Sequence, residues 1–425
     1  MYRVWDFVTE YSILLITGAL VGLIWANIDY QSYYNIVHTE LWVNNFVGVL
    51  HDGHRSVNLH FLVNDFLMAF FFAIAGKEVW EAIALKNGAL RGSKAVIPLF
   101  STAGGMIVPA VLYLVAALAI GQFSILARGW AIPTATDIAF SYLVGRLLFG
   151  AGHPAIKFLL LLAIADDAIG LIILALFYPQ EELQLQWLLL SIASAVLAYV
   201  LFNWLPRYLD RGKQTRPNST WMHDKLTFYP YLLMAIVSWY GFHKAGLHPA
   251  LGFLPLIPVM PHADVSFGFF GEKSTHMHDI LNDFEHKMKR LIEVILFMFG
   301  FLNTGVQFSA IGAATTIVLL GLLVGKPLGV WLFAVLGARI FKINLPDSMS
   351  FSDLFVVGCI SGIGFTVSLF VTTVAFPAGE IQDAAKMGAL FSFLSLGTAF
   401  IAKKAFEMRK LKKQNSDETS SSDQR

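Results

Sequence analysis

Phe158 to Tyr178 reads FLLLLAIADDAIGLIILALFY, an apolar run broken only by two adjacent aspartates, Asp166 and Asp167, near its middle. A helix needs roughly 20 apolar residues to cross a bilayer core, and this run is that long. An ionisable group at such depth is costly, and where one occurs it faces a cavity or a partner and marks an ion or proton path. A structural salt bridge buried in a bundle is the plainer reading of one such residue. Two carboxylates side by side point instead to a cation or proton site inside a membrane protein.

Working outward, the whole chain is apolar. Of its 425 residues, 56% are hydrophobic and 14% charged, with 36 Phe and a mean hydropathy of +0.63. A soluble domain carries about 25% charged residues. The class is therefore all-α integral membrane, because a spanning backbone in lipid must satisfy its own polar groups. A barrel needs alternating strands of about ten residues, and none is visible. The single cysteine, Cys359, excludes a disulfide framework and a Cys-rich metal site. A net charge of +1 gives no reason to expect a nucleic-acid partner, and no cofactor motif is present. The first apolar run, Tyr11 to Ile28, lacks a basic n-region and a small-residue cleavage site, so it reads as a retained first helix.

Twelve spans are expected, near 11–28, 60–82, 95–120, 130–149, 155–178, 186–206, 226–243, 247–260, 288–309, 312–338, 353–376 and 386–406. The connections alternate in charge. One set is basic, with Lys86, Arg91 and Lys94, then Arg146 and Lys157, then Arg207, Arg211, Lys213 and Arg216. It continues with Lys273, Lys287, Lys289 and Arg290, then Arg339 and Lys342, and ends in the C-terminal tail. The other set holds little beyond Arg55, Arg128 and Lys244, or is acidic. Basic loops stay inside, so both termini are expected in the cytoplasm. Residues 1–407 form one transmembrane domain on this reading. Within it, 41–59 alternates apolar and polar residues around Asp52-Gly53, which signals a periplasmic hairpin within about 37–60, or else an ordinary loop. Residues 261–287 form a cytoplasmic loop with His262, His276, His278 and His286, whose spacings match no metal template. Residues 408–425 are polar and Ser-rich and are expected to be disordered.

Asp166 and Asp167 differ by about 100° around a helix, so one can face a cavity while the other faces a different partner. Such a coupled pair binds either a proton or a cation, and that competition is all an exchanger requires. Lys326, inside Gly321 to Gly329, is a second charge several turns from either span end, and one of the aspartates is its natural counter-ion. Asp137 follows Pro133, Thr134 and Thr136, a pattern that frees backbone carbonyls and breaks a helix. Ser361-Gly-Ile-Gly-Phe-Thr366 interrupts the eleventh span in the same way. Spans three to five and ten to twelve could form inverted repeats with these broken segments in corresponding places, which is the sequence pattern of a transporter site. Asp137 then either binds the ion or balances the helix N-termini facing it. Asp65, after Asn64, reads as a solvated cap at a span end. Lys77 and Glu78 lie near the other end of that span, where they snorkel or pair. Glu285 and His286 enter the ninth span beside Lys287, Lys289 and Arg290. They form either a solvated basic loop or a pH-sensing mouth.

Four segments together resemble the NhaA sodium/proton antiporters. They are Pro133 to Phe140 (PTATDIAF), Leu162 to Gly170 (LAIADDAIG), Gly325 to Gly329 (GKPLG) and Cys359 to Thr366 (CISGIGFT). Asn64-Asp65, Gly105 to Ala110, Ala245 to Leu251 and Asn303 to Gly305 follow in matching order, so the resemblance runs from about residue 10 to 406. That family is itself one of the examples behind the broken-helix rule. The resemblance implies twelve helices in a bacterial inner membrane, two broken crossing helices, and a homodimer formed through a periplasmic β-hairpin. It implies Na⁺ or Li⁺ bound and exchanged for H⁺ at Asp166 and Asp167, with Lys326 paired to the first aspartate when sodium is absent. It places Thr136 and Asp137 at the helix crossing. It assigns pH response to Glu285, His286 and His248, and Glu78 on the second span is grouped with them. The sequence departs from the family at Lys77, at Leu302 and Thr304, at Arg146 and in the 261–287 loop. Two other chemistries are weighed: a Mg²⁺-dependent membrane enzyme, which lacks further acidic residues between Ala168 and Tyr178, and an ion sensor without turnover. A K⁺/H⁺ exchanger is the nearest alternative transporter. Secondary antiport, without enzymatic activity, is the reading carried forward.

Overall fold

The computed structural model describes residues 13–51, 54–85, 88–92, 95–150, 152–212, 217–261, 280–343, 345 and 349–422. The Asp52-Gly53 turn, His262, His276, His278 and the last three residues lie outside them. In chain order the helices and strands begin with α1 (Ile13–Ile28), α2 (Tyr30–Val37), β1 (Glu40–Asn44), β2 (Val49–His51) and β3 (His54–Asn58). There follow α3 (Leu59–Ala84), α4 (Val96–Ala119), α5 (Ile138–Phe149), α6 (Pro154–Phe177), α7 (Leu185–Leu209), α8 (Tyr229–Ala245) and α9 (Ile280–Asn303). The rest are α10 (Ala313–Phe341), α11 (Phe351–Ser361), α12 (Phe365–Ala375), α13 (Glu380–Leu390) and α14 (Leu394–Ser422). Tight 3₁₀ turns at Ala127–Thr134 lead into α5, and others at Pro249–Leu251 and Leu254–Val259 follow α8.

Among the described residues six helices are long and apolar enough to cross a membrane: α3, α4, α6, α7, α10 and the run Glu380–Lys412. The pair α11 and α12, bent by 50°, makes a seventh. Against the twelve spans expected, the remaining segments fall below that length or apolarity for identifiable reasons. α5 loses its first turns to the break at Pro133–Asp137. Prolines 249, 255 and 258 confine the eighth segment to 3₁₀ turns, since proline lacks the N–H a helix needs. α9 opens with Asp283, Glu285, His286, Lys287, Lys289 and Arg290. At the other end of the chain, α14 continues as helix to Ser422, past Met408 where disorder was expected. Its Lys, Glu, Arg, Met and Leu residues between 403 and 412 are good helix formers.

Contacts gather in two compact units, Met1–Arg91 with Asp167–Ser309, and Gly92–Asp166 with Ala310–Arg425. In the first unit, α1 packs on α9 backbone to backbone. A Cβ on Gly18 or Gly22 would lie 2.1 or 2.3 Å from the carbonyl oxygens of Phe297 and Phe301. Tyr33 of α2 donates its hydroxyl to the carbonyls of Phe301 and Leu302, which α9 leaves unpaired at its end. α3 contains a widened, π-type turn over Leu62–Leu67, and there Asn64 and Asn303 of α9 exchange two amide hydrogen bonds.

The same unit holds the hairpin. β2 and β3 pair antiparallel with His51 opposite His54, so a two-residue connection joins them. A third strand, β1, pairs with the far side of β3, giving the order β1-β3-β2. This strand was not expected. Asn44 makes it possible by accepting from the N–H groups of Phe46 and Val47, which turns the chain back.

In the second unit α4 and α10 touch through glycine. A Cβ on Gly104 would sit 2.3 Å from the Gly329 carbonyl oxygen, and one on Gly329 2.2 Å from that of Gly104. Small residues permit this close approach where van der Waals packing and hydrogen bonds must hold helices together in lipid. α10 also contains a widened turn, Gly321–Gly325, which ends at Lys326-Pro327. Such bulges recur at functional sites because they turn a side chain away from its regular direction.

Candidate functional site

The two interrupted segments of the second unit meet. After the 3₁₀ turns the chain runs extended through Ala135, Thr136 and Asp137 before α5 begins. α11 ends at Ser361 and α12 begins at Phe365, with Gly362 and Gly364 between. The backbone N–H of Asp137 donates to the carbonyl of Ile363 at 2.7 Å, which ties one break to the other. The exposed polar groups of both breaks then find side-chain partners. Ser368 donates to the Ile132 carbonyl at 2.8 Å and Ser141 to that of Ile360 at 3.3 Å.

Asp137 serves two helices at once. Its Oδ1 accepts from the Phe140 N–H in the first turn of α5 at 3.2 Å. Its Oδ2 accepts from the Thr366 N–H in the first turn of α12 at 3.2 Å and from the Thr366 hydroxyl. Each helix N-terminus carries about half a positive charge. One carboxylate therefore balances two facing N-termini.

Asp166 lies in the α6 part of this unit and is 2% exposed. Lys326 donates to its Oδ2 at 2.7 Å and also to the carbonyl of Thr134. Thr136 donates to the same Oδ2 at 2.6 Å, with the Ser361 carbonyl at 3.1 Å as a second acceptor for its single proton. The other oxygen, Oδ1, is buried and meets no donor among the described residues. A buried carboxylate oxygen without a partner is expensive, so it is the atom most ready to take a proton or a metal ion. Charge within the cluster is nearly balanced without any ion: Lys326 offsets Asp166, and the helix ends offset Asp137.

The structure thus brings Asp166, Lys326, Thr136 and Asp137 into one cluster. Asp167, the next residue of α6, is half-buried and belongs to the first unit. The residues linked to pH response by resemblance all lie in the first unit, spread over three places. Glu285 accepts from Lys77 at 2.5 Å, and Lys77 also pairs with Glu81 at 3.0 Å. Glu78 is half-buried, and His286 is exposed. His248 is buried, and its Nδ1 accepts from the Ala250 N–H at 3.3 Å and lies 3.9 Å from Asp65 Oδ1.

Two sequence expectations need correction. Lys77 is fully buried between two carboxylates and does not snorkel. The Lys77–Glu81 spacing of four residues was the readable signal for its partner. Asp65 is a buried acceptor, not a solvated cap. It takes the Gln180 amide at 3.0 Å, and its carbonyl takes the Trp239 indole N–H at 2.8 Å. Thr366 was quoted only as part of a motif, and its hydrogen bonds to Asp137 were not foreseen. Backbone groups of Thr134, Ser361 and Ile363 leave no side-chain signal at all. Outside the spans, Arg55 of β3 forms a bidentate pair with Glu181 at 2.9 and 2.8 Å. Those hydrogen bonds hold the Glu181 carboxyl below the usual range against a smaller opposing effect of burial.

Among the described residues no group of three His, Cys, Asp or Glu side chains gathers as a metal-binding cluster. The comparisons with known proteins agree with one another. The family model described as Na+/H+ antiporter 1 matches residues 4–402. The Na(+)/H(+) antiporter NhaA of Jannaschia sp. (strain CCS1) is 58% identical over 417 residues, covering 96% of this chain and 99% of that protein. The NhaA of Geotalea uraniireducens (strain Rf4) is 41% identical over 404 residues, covering 94% and 96%. Among solved structures, the sodium proton antiporter MjNhaP1 from Methanocaldococcus jannaschii at pH 8 matches at a TM-score of 0.50 over 95% of this chain and 92% of that chain. At 13% identity that match speaks to the fold alone. Together with the apolar helices, the extent of these matches makes the chain a multi-pass membrane protein, and it belongs to the Na+/H+ antiporter 1 family, the family of the NhaA antiporters.

Proposed function

We propose that this protein is a secondary antiporter that moves Na⁺, and also Li⁺, out of the cytoplasm in exchange for external H⁺. The observation that carries this reading is the asymmetry of Asp166: Oδ2 is held by Lys326 and Thr136, while the buried Oδ1 has no partner. An arriving cation gains Oδ1 directly and then competes with the Lys326 ammonium for the same carboxylate. Asp167, adjacent on α6, supplies a second carboxylate, and the Thr136 hydroxyl and freed carbonyls supply neutral oxygens. Protons and sodium cannot both occupy the carboxylates, so filling the site with one expels the other. Asp137 holds the two half-helix ends in place and does not ligate the ion. Its two oxygens are already taken by N–H and O–H donors.

The cycle runs as alternating access around this site. At acid pH the carboxylates are protonated or held by Lys326, and sodium is excluded. At alkaline cytoplasmic pH sodium binds, the loaded carrier opens outward, and external protons reload it. More protons than sodium ions pass per cycle, which makes the exchange electrogenic. Glu285, His286, His248 and Glu78 set its pH response. The protein sits in the bacterial inner membrane with twelve spans in inverted repeats and both termini in the cytoplasm. It pairs as a homodimer through the sheet, whose Trp42, Phe46 and Leu50 are 59%, 64% and 60% exposed.

The test uses the full chain in proteoliposomes with an internal pH dye, for wild type, Asp166→Asn and Asp167→Asn. Addition of NaCl or LiCl should collapse the proton gradient in the wild type alone, more strongly as pH rises. A response to KCl alone would make it a K⁺/H⁺ exchanger. No response to any alkali cation would end the antiport reading.

A further inference from the structure

Glu293 lies in the middle of α9 and is 1% exposed. Its Oε2 is buried and meets no hydrogen-bond donor among the described residues. Among the described residues, α1 and α3, the two helices packed most extensively on α9, offer it no counter-charge. α1 has no ionisable side chain from Ile13 to Ile28. α3 carries His60, Asp65, Lys77, Glu78 and Glu81, and His60 meets the Asn64 amide. Asp65 takes the Gln180 amide, and the Lys77 ammonium is committed to Glu81 and Glu285. On α9 itself, Asp283, Glu285, His286, Lys287 and Arg290 lie toward the N-terminal end, and Lys289 stands one turn before Glu293. An ionised carboxylate with a buried oxygen that meets no donor costs more than the neutral acid. A metal ion is a poor occupant, because no cluster of three His, Cys, Asp or Glu is present among the described residues to replace its hydration shell. A proton needs only one oxygen lone pair.

We propose that Glu293 is a second proton-binding site of this protein, separate from Asp166 and Lys326. It carries a proton on its buried carboxyl and releases it when the side chain swings back along α9 to Lys289. In that step the carboxyl O–H bond breaks, the proton passes to water, and the carboxylate pairs with the Lys289 ammonium. Residues four apart on a helix are neighbours, so the pair needs only a rotamer change. This role does not depend on sodium exchange, since the carboxyl would titrate in a protein that transports nothing.

Infrared difference spectroscopy of the purified full chain reads the protonated-carboxyl C=O band directly as pH is raised. Wild type and Asp166→Asn should both show a band that disappears with rising pH and is missing from Glu293→Gln. Lys289→Gln should move its midpoint to higher pH by removing the base that stabilises the ionised form. If Glu293→Gln folds poorly, Glu293→Asp keeps a carboxyl and should displace the same band in frequency. The proposal is overturned if Glu293→Gln retains every titrating band of the wild type, if Glu293→Asp displaces none, or if Lys289→Gln leaves the midpoint unmoved.

Discussion

Asp137 and Thr366 join the starts of two half-helices: Asp137 caps α5 with Oδ1 and takes both the N–H and the hydroxyl of Thr366 in α12 with Oδ2. Losing an N-cap acceptor costs about 0.5–2 kcal/mol per helix, and here one substitution uncaps two helices inside a buried site. Asp137→Ala should therefore lower the unfolding midpoint and abolish exchange. Asp137→Asn has one carbonyl oxygen in place of two and no charge, so it should fold yet lose most of its activity. Tryptophan-fluorescence melts and vesicle exchange measure the two effects separately. Wild-type melting and transport in Asp137→Ala would show that the crossing needs no capping carboxylate.

Lys326 and Asp166 form a pair with both side chains withdrawn from solvent. Removing one partner of such a pair costs on the order of 3–5 kcal/mol, because the other charge stays buried. Lys326→Gln should be destabilised accordingly in choline chloride. Sodium should restore much of the loss, since a ligand at one hundred times its Kd returns about 2.7 kcal/mol. The double variant Lys326→Gln with Asp166→Asn should recover stability without sodium. Melting curves in NaCl and choline chloride of equal ionic strength decide it, and identical curves for Lys326→Gln would remove Asp166 as the cation ligand.

The legible part of this site was the part written in side chains at unusual depth. Asp166, Lys326 and Asp137 are charges in apolar runs, and burial cost alone singles them out. The interruptions at Pro133 and at Gly362–Gly364 were legible for a similar reason, since proline and paired glycines break a helix wherever they fall. The sequence could not show which atoms fill the breaks. Thr134, Ser361 and Ile363 contribute backbone carbonyls, and any residue type would offer the same. It also left Glu81 unread although Lys77 stands four residues before it, because a charge near a span end has an easy solvated alternative. The third strand β1 was hidden because its pairing depends on where Asn44 turns the chain and not on an alternating pattern.

Arg55 and Glu181 give a pH-dependent prediction outside the spans. The folded-state value of Glu181 is held below its unfolded value, first by the Arg55 hydrogen bonds and then by the charges of Arg55, His243 and Lys244, with burial opposing. The unfolded chain then binds more protons across that window, so the contribution is present above the ordinary carboxylate range and is lost as pH falls through the lowered value. The Glu181 side chain is 39% exposed, so the pair contributes about 1 kcal/mol or less after screening. Melting temperatures of wild type and Glu181→Gln should differ near about pH 6 and converge toward about pH 3. A gap that persists at acid pH would exclude the ion pair as its origin.

Lys77 bridges α3 to α9 by meeting Glu81 on its own helix and Glu285 on the other, with its ammonium fully buried. Replacing it by methionine keeps much of the apolar stem but leaves two carboxylates facing one pocket, at a cost of about 3–5 kcal/mol. Neutralising one carboxylate as well should return a large part of that loss, since residues in one ion-pair network are coupled and their effects do not add. Lys77→Met should thus melt well below wild type, and Lys77→Met with Glu81→Gln should melt above the single variant. Added salt should change neither ranking, because buried charges are screened far less than surface ones. If the single and double variants melt together, the Glu81 charge left without Lys77 carries no cost. The bridge would then be a contact that the packing of α3 on α9 merely tolerates.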